Sequence, residues 1–158
     1  MEIVVISDSH GNIANLKHIM GFAKKVKAKA IIHCGDWDNT EAVNTVLSYN
    51  LPLYTVLGNA DISPEVEKSL EINSKKFDPK LLRIKIGGRK IGIVHSVKDS
   101  EYQKLDYDIL FCGHRHYKGE KNINGVNIIC PGALHSIKPS FVIYETDTNK
   151  VEFINDQG

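Results

Sequence analysis

The sequence predicts one α/β domain, residues 1–158, with two facing sheets and outer helices, and three observations carry that prediction. A length of 158 residues fits a single domain. The first half repeats strand, loop, helix, a pattern that favours parallel strands covered by helices. The second half reads as mostly antiparallel β joined by short turns, and no linker, repeat or low-complexity stretch divides it from the first.

Each element has a local reason. Glu2 to Ser7 is rich in Val and Ile and reads as a buried strand. Asn12 is placed to cap a helix starting at Ile13, in which Ile13, Leu16, Met20, Ala23 and Val26 share one face. Lys24, Lys25 and Lys27 close that helix where its dipole favours cations. Ala30 to Cys34 is a second strand, and Thr40 is expected to cap a helix that turns Ala42, Val43, Val46 and Leu47 inward. Leu53 to Leu57 is a third strand. Ser63-Pro64-Glu65 then supplies a cap, a first-turn proline and an acidic first turn. Leu82 to Ile86 and Lys90 to His95 flank Gly87-Gly88 as a hairpin. Asp108 to Cys112 is a further apolar strand. Asn122 to Asn124 and Val126 to Cys130 flank Gly125, and Phe141 to Thr146 and Val151 to Ile154 flank a last turn.

Composition excludes several classes. Hydrophobic residues at 42% and charged residues at 25% are ordinary for a globular chain, not for a disordered tail or a disulfide-dense miniprotein. A net charge of +1 sets up no global field that would call for a nucleic acid or a membrane. No apolar run approaches the ~20 residues that span a bilayer, and the opening residues read as a strand, not a leader. Cys34, Cys112 and Cys130 form no CxxC pair, so reduced thiols and a cytoplasmic location are expected. Oligomeric state is left undetermined.

The chemistry-bearing residues sit just after the strands. Asp8-Ser9-His10 follows the first, Gly35-Asp36 the second and Gly58-Asn59-Ala60-Asp61 the third. His95 ends the Lys90 strand, and Gly113-His114-Arg115-His116 follows Cys112. Ligands of open α/β sheets bind at the carboxyl ends of strands, so these clusters should converge. Carboxylate, imidazole and amide oxygen suit divalent ions such as Mn, Fe, Zn and Ni. Asp8, His10, Asp36, Asn59, His95, His114 and His116 are too many for one tetrahedral site and suit two ions roughly 3.5–4 Å apart.

In this order, Asp-x-His, Gly-Asp, Gly-Asn-x-Asp, His and Gly-His-x-His resemble the calcineurin-like metallophosphoesterases. The short length and a Gly-Asn-x-Asp without histidine are similar to the small YfcE-type phosphodiesterase branch. The resemblance implies a four-layer α-β-β-α sandwich with two mixed sheets. It implies one metal held by Asp8, His10, Asp36 and His116, and another by Asp36, Asn59, His95 and His114, with Asp36 bridging. Manganese is expected first, with nickel, iron or zinc as alternatives. Two divalent ions less two carboxylates leave about +2, or about +1 with a bridging hydroxide, a local anion site in a near-neutral protein. The implied reaction is hydrolysis of a small phosphodiester by metal-bound hydroxide. Alternatives are a phosphomonoesterase or nucleotidase, and a protein-binding scaffold like the phosphoesterase-fold subunit of retromer. A nuclease ranks last, for want of a basic stripe with interleaved aromatics.

Ala60 departs from the wider family, where histidine assists the leaving group. General acid help is worth roughly 10²–10⁴-fold, and alanine has no proton to give. Aryl diesters should therefore turn over faster than alkyl ones. Among neighbouring residues, Asp61 has two readings, orienting a ligating histidine or capping the next segment. His135, after Pro131-Gly132-Ala133, is a candidate to touch substrate or replace the missing acid, against a plainer reading as a loop residue. His33 reads as a core or supporting histidine and His18 as solvated. Arg115 reads as surface. Trp37 could wall an aromatic leaving group or pack under its loop, and Cys34 and Cys112 read as inert buried thiols.

Overall fold

Strand and helix alternate through the first half: β1 (Glu2–Ile6), α1 (Ile13–Lys25), β2 (Ala30–His33), α2 (Thr40–Leu47), β3 (Leu53–Thr55) and α3 (Pro64–Asn73). Strands follow in the second: β4 (Lys76–Phe77), β5 (Leu81–Ile86), β6 (Arg89–Val94), β7 (Ile109–Phe111), β8 (Lys118–Ile123), β9 (Val126–Pro131), β10 (Ser140–Glu145) and β11 (Lys150–Asn155). The computed structural model describes residues 1–98 and 106–155.

The first sheet runs β11-β10-β1-β2-β3-β4, with β1 to β4 parallel and β10 and β11 antiparallel at one side. The second runs β5-β6-β7-β9-β8. Its outer pairs are the expected antiparallel hairpins, and between them β6, β7 and β9 are parallel, which makes this sheet mixed as well. Two-residue turns reveal hairpins, whereas a crossover between distant strands leaves no local sign.

Alternation in β1 shows how the layers stack. Val4 and Ile6 face the helices, packing with Leu16 and Met20 of α1, Val43 of α2 and Leu70 of α3. Ile3 and Val5 face the other way and meet Ile91, Ile93 and Phe111 of the second sheet. A strand buried on both faces must be apolar throughout, which is why its sequence lacks a polar alternation. Each such large side chain contributes about 1.5–3 kcal/mol by leaving water. The fold is thus α/β with two mixed sheets. Three of the four expected layers are built from described residues, and the outer face of the second sheet carries Tyr107, Leu110, Val126 and Ile128.

Asn12 caps α1, its side chain accepting from the Asn15 amide at 3.0 Å. The cap of α2 is Asn39, not Thr40: its side chain accepts from the Ala42 amide at 2.9 Å, and Thr40 is already helical. The cysteines also need correction. Cys112 and Cys130 are disulfide-bonded, and only Cys34 is free and buried. The parallel register Phe111↔Ile129 sets the two cysteines side by side, with Cα atoms 5.0 Å apart. The argument from reduced thiols to a cytoplasmic location loses its basis. Among the described residues, no helix is long and apolar enough to cross a membrane.

Candidate metal centre

The parallel strands β1, β2 and β3 of one sheet and β6 and β7 of the other end in loops that interlock. The Asp8 amide donates to Gly35 O, the His10 amide to Asp36 O and the Gly11 amide to Trp37 O, each at 3.0 Å. The Gly113 amide donates to His95 O at 3.0 Å, joining the loops of the second sheet. Two motif glycines let the loops close. A Cβ on Gly58 would lie 2.1 Å from Asp36 Oδ1, and one on Gly113 would lie 2.0 Å from Ser7 Oγ and 2.8 Å from Asp8 Oδ2.

Two carboxylates lie at the bottom of the site, with side chains 1% exposed at Asp8 and 2% at Asp36. Asp8 Oδ2 accepts from Ser7 Oγ at 2.7 Å and from the His114 amide at 3.1 Å. Asp8 Oδ1 is buried and accepts no hydrogen bond, although His116 Nε2 is 3.2 Å away and His10 Nε2 3.8 Å. Burial pushes the Asp8 carboxyl up despite the Ser7 bond, and the Asp36 charge adds to the rise. Burial also pushes Asp36 up, but hydrogen bonds from His95 and the Ala60 amide and the charge of His95 outweigh it. The net effect holds Asp36 well below the usual carboxylate range. Asp36 Oδ2 lies 3.4 Å from His10 Nε2 and 3.3 Å from His95 Nε2, so one carboxylate oxygen faces both halves of the cluster.

The imidazoles complete it. Asp8, His10, Asp36 and His116 each present a ligand atom within 4.8 Å of the others. On the far side of Asp36, Asn59 Oδ1 is 2.9 Å from His95 Nε2 and 3.0 Å from His114 Nδ1. His95 Nδ1 donates to Cys34 O at 2.8 Å. Burial alone would lower the pKa of His95, but its hydrogen bond to Asp36 and that residue's charge raise it overall. All seven candidate residues therefore come together in one cluster, with Asp36 facing His10 on one side and His95 on the other.

Several backbone positions here are left-handed: Asp8 (φ 52°), His10 (43°), Asp36 (66°), Asp38 (74°), His114 (75°) and His116 (60°). Non-glycine residues seldom sit there, and such strain clusters at functional sites.

Around these residues the structure places the neighbouring side chains. The Asp61 carboxylate bonds neither a histidine nor the segment after it. It accepts the amides of Asp36 (2.9 Å), Trp37 (2.7 Å), Asp38 (2.9 Å) and Gly58 (2.9 Å), and so braces the loop that carries Asp36. Trp37 is fully buried, stacked on His33 with ring centroids 3.7 Å apart, and its Nε1–H donates to Thr55 Oγ1. It packs under the loop and forms no wall. His33 accepts the Gly35 amide at Nδ1 and so donates from Nε2 to Ser9 Oγ at 2.9 Å, and burial pushes its pKa down to about 3. His18 is exposed, as is Arg115, whose Nη1 donates to Tyr117 OH. Sequence reading missed Asp38, whose Oδ1 lies 3.0 Å from His10 Nδ1. The available signal was its spacing, two residues after Asp36, on the same turn of the same loop.

Comparison with known proteins agrees with this geometry. The calcineurin-like phosphoesterase superfamily domain is matched over residues 1–149. The phosphodiesterase MJ0936 of Methanocaldococcus jannaschii is 24% identical over 138 residues, covering 84% of this chain and 83% of that protein. A solved archaeal phosphodiesterase superposes with a TM-score of 0.86 at 21% identity, over 99% of this chain and 100% of that one. The YfcE phosphoesterase of E. coli gives 0.74 at 14% identity over 98% of each chain. Vps29 of Entamoeba histolytica, solved with zinc, gives 0.67 at 21%, over 98% and 99%. At such identities the superpositions show a shared fold.

Proposed function

We propose that the chain, which belongs to the calcineurin-like phosphoesterase superfamily, is a phosphodiesterase acting on small molecules with two divalent ions. The observation that carries this reading is Asp8 Oδ1, a buried carboxylate oxygen with no hydrogen bond, set among imidazole nitrogens. An uncompensated buried charge costs several kcal/mol, and a cation at that point removes the cost. The donor set of carboxylates, imidazoles and one amide oxygen fits borderline divalent ions, manganese first and nickel, iron or zinc next. One ion would be held by Asp8, His10, Asp36 and His116, the other by Asp36, Asn59, His95 and His114. When bound, such a pair acidifies water and draws charge from phosphate oxygens.

The chain's own residues do the rest. Asp36 faces both groups with one oxygen and is kept ionised by His95 and the Ala60 amide. Asp38 and the Cys34 carbonyl fix the rings of His10 and His95, leaving Nε2 of each turned to the centre. His114 and His116 are exposed, so substrate approaches from their side. Ala60 offers no proton, and acidic leaving groups should be favoured.

The test is an assay of chelator-stripped protein with Mn, Ni, Fe, Zn and Mg added singly, on aryl and alkyl phosphodiesters and on the monoester of the same phenol. Wild type should need a transition ion and prefer the aryl diester, and Asp36→Asn and His95→Ala should lose more than ~100-fold. A faster monoester would make the enzyme a phosphomonoesterase. Folded protein with neither activity nor metal uptake would favour the scaffold reading.

A further inference from the structure

Within the two-ion reading, we infer that His135 is an additional metal ligand, donating through Nε2 to the ion shared with His10 and His116. Three parallel strands of the second sheet, β6, β7 and β9, end beside the site. The first two lead to His95 and to His114 and His116, and the loop after β9 carries His135. Its place is held from two sides. The backbone amides of Leu134 and His135 donate to Ser7 O and Asp8 O at 3.0 and 3.1 Å. Asn15 of α1 donates to Leu134 O at 2.7 Å and to Ser136 O at 3.3 Å.

The ring itself shows what it offers. His135 Nδ1 is 3.0 Å from Asp8 O. A carbonyl oxygen only accepts, so Nδ1 carries the hydrogen and Nε2 of the neutral ring holds a lone pair. A metal-bound histidine has this arrangement, with one nitrogen donated to a carbonyl or carboxylate and the other turned to the ion. His95 on Cys34 O and His10 on Asp38 Oδ1 repeat it in the same site. The ring of His135 lies with its centroid 4.6 Å from that of His10 and 4.8 Å from that of His116. Ligand atoms of these three histidines all fall within 4.8 Å of one another, and the set shares His10 and His116 with the Asp8–Asp36 group. A third imidazole makes this position richer in nitrogen than its neighbour, which biases it toward Zn²⁺, Ni²⁺ and Co²⁺ over Mn²⁺ and Mg²⁺.

The experiment measures metal binding, not turnover. Apoprotein is titrated with Zn²⁺ against a chromophoric chelator, and separately with Co²⁺ while the visible absorption is recorded. Wild type is compared with His135→Asn, His135→Ala and His10→Ala. Asparagine keeps an N–H for the Asp8 carbonyl and has no atom at the Nε2 position. The expected result is one ion weakened at least ~10-fold in both His135 variants, with an altered Co²⁺ spectrum and a smaller loss for Mn²⁺. If asparagine restores what alanine loses, His135 only braces Asp8 and the inference is overturned. Unchanged affinity and spectrum in both His135 variants, with one ion lost in His10→Ala, overturns it equally. Full binding of two ions in His10→Ala would instead overturn the two-ion assignment beneath it.

Discussion

The two sheets serve the site in different ways. Loops of the first sheet supply the carboxylates, and those are buried and gripped by amides and hydroxyls from three separate segments. Loops of the second sheet supply imidazoles, two of which stand in solvent on a chain held at its root by the Cys112–Cys130 bond. The difference follows from charge. A carboxylate held away from water needs donors or a cation to offset its burial, whereas a side chain at the surface keeps its contact with water. The carboxylate half is thus buried and hydrogen-bonded, and the imidazole half is open to solvent at His114 and His116.

Four perturbations sharpen or break that contrast. The largest effect should come from Asp61→Ala, which strips the acceptor from four amides in the buried half. A loss on the order of 3–5 kcal/mol in urea unfolding is expected, and a loss under ~1 kcal/mol would show that the bracing is shared elsewhere. Next comes the disulfide, which closes a loop across a sequence separation of 18 residues. Reduction, or the Cys112→Ser/Cys130→Ser pair, should lower stability by about 3 kcal/mol. An unmoved denaturation midpoint would mean that packing alone roots the imidazole half.

A smaller effect is expected at Asp38→Ala, which frees the His10 ring. Metal affinity at that position should fall about 10–100-fold by competition titration, with little change in apoprotein stability. The acid dependence due to His33 comes last because it vanishes at neutral pH. Its folded pKa of about 3 lies below the ordinary value near 6.5, so the unfolded chain binds the proton first. Stability is then full above about pH 6.5 and falls by at most ~1.4 kcal/mol per pH unit as pH drops toward 3. A His33→Gln variant should flatten that slope, and an unchanged slope would assign the acid loss to other groups.

Much of this was legible in the sequence because the information was local. Each ligand type sits one or two residues past an apolar run, so Asp8, Asp36 and His95 can be placed from strand ends alone. What stayed hidden depends on which strands become neighbours. That β9 lies beside β7, with β8 outside it, pairs Cys112 with Cys130 and brings His135 to the site. No spacing in the sequence reveals that order. The role of Asp61 was hidden for a related reason: its partners are main-chain amides, which every residue carries and no motif marks. The requirement for Gly58 and Gly113 is likewise invisible until two loops are seen to touch.

The left-handed residues of the site bear on its stability. At Asp8, His10, Asp36, His114 and His116 a glycine would sit without strain, and each side chain kept there costs on the order of 1 kcal/mol. Replacing any one of them by glycine would relieve that strain while removing a candidate ligand, so the stability of the loops and the chemistry of the site pull in opposite directions at these five positions.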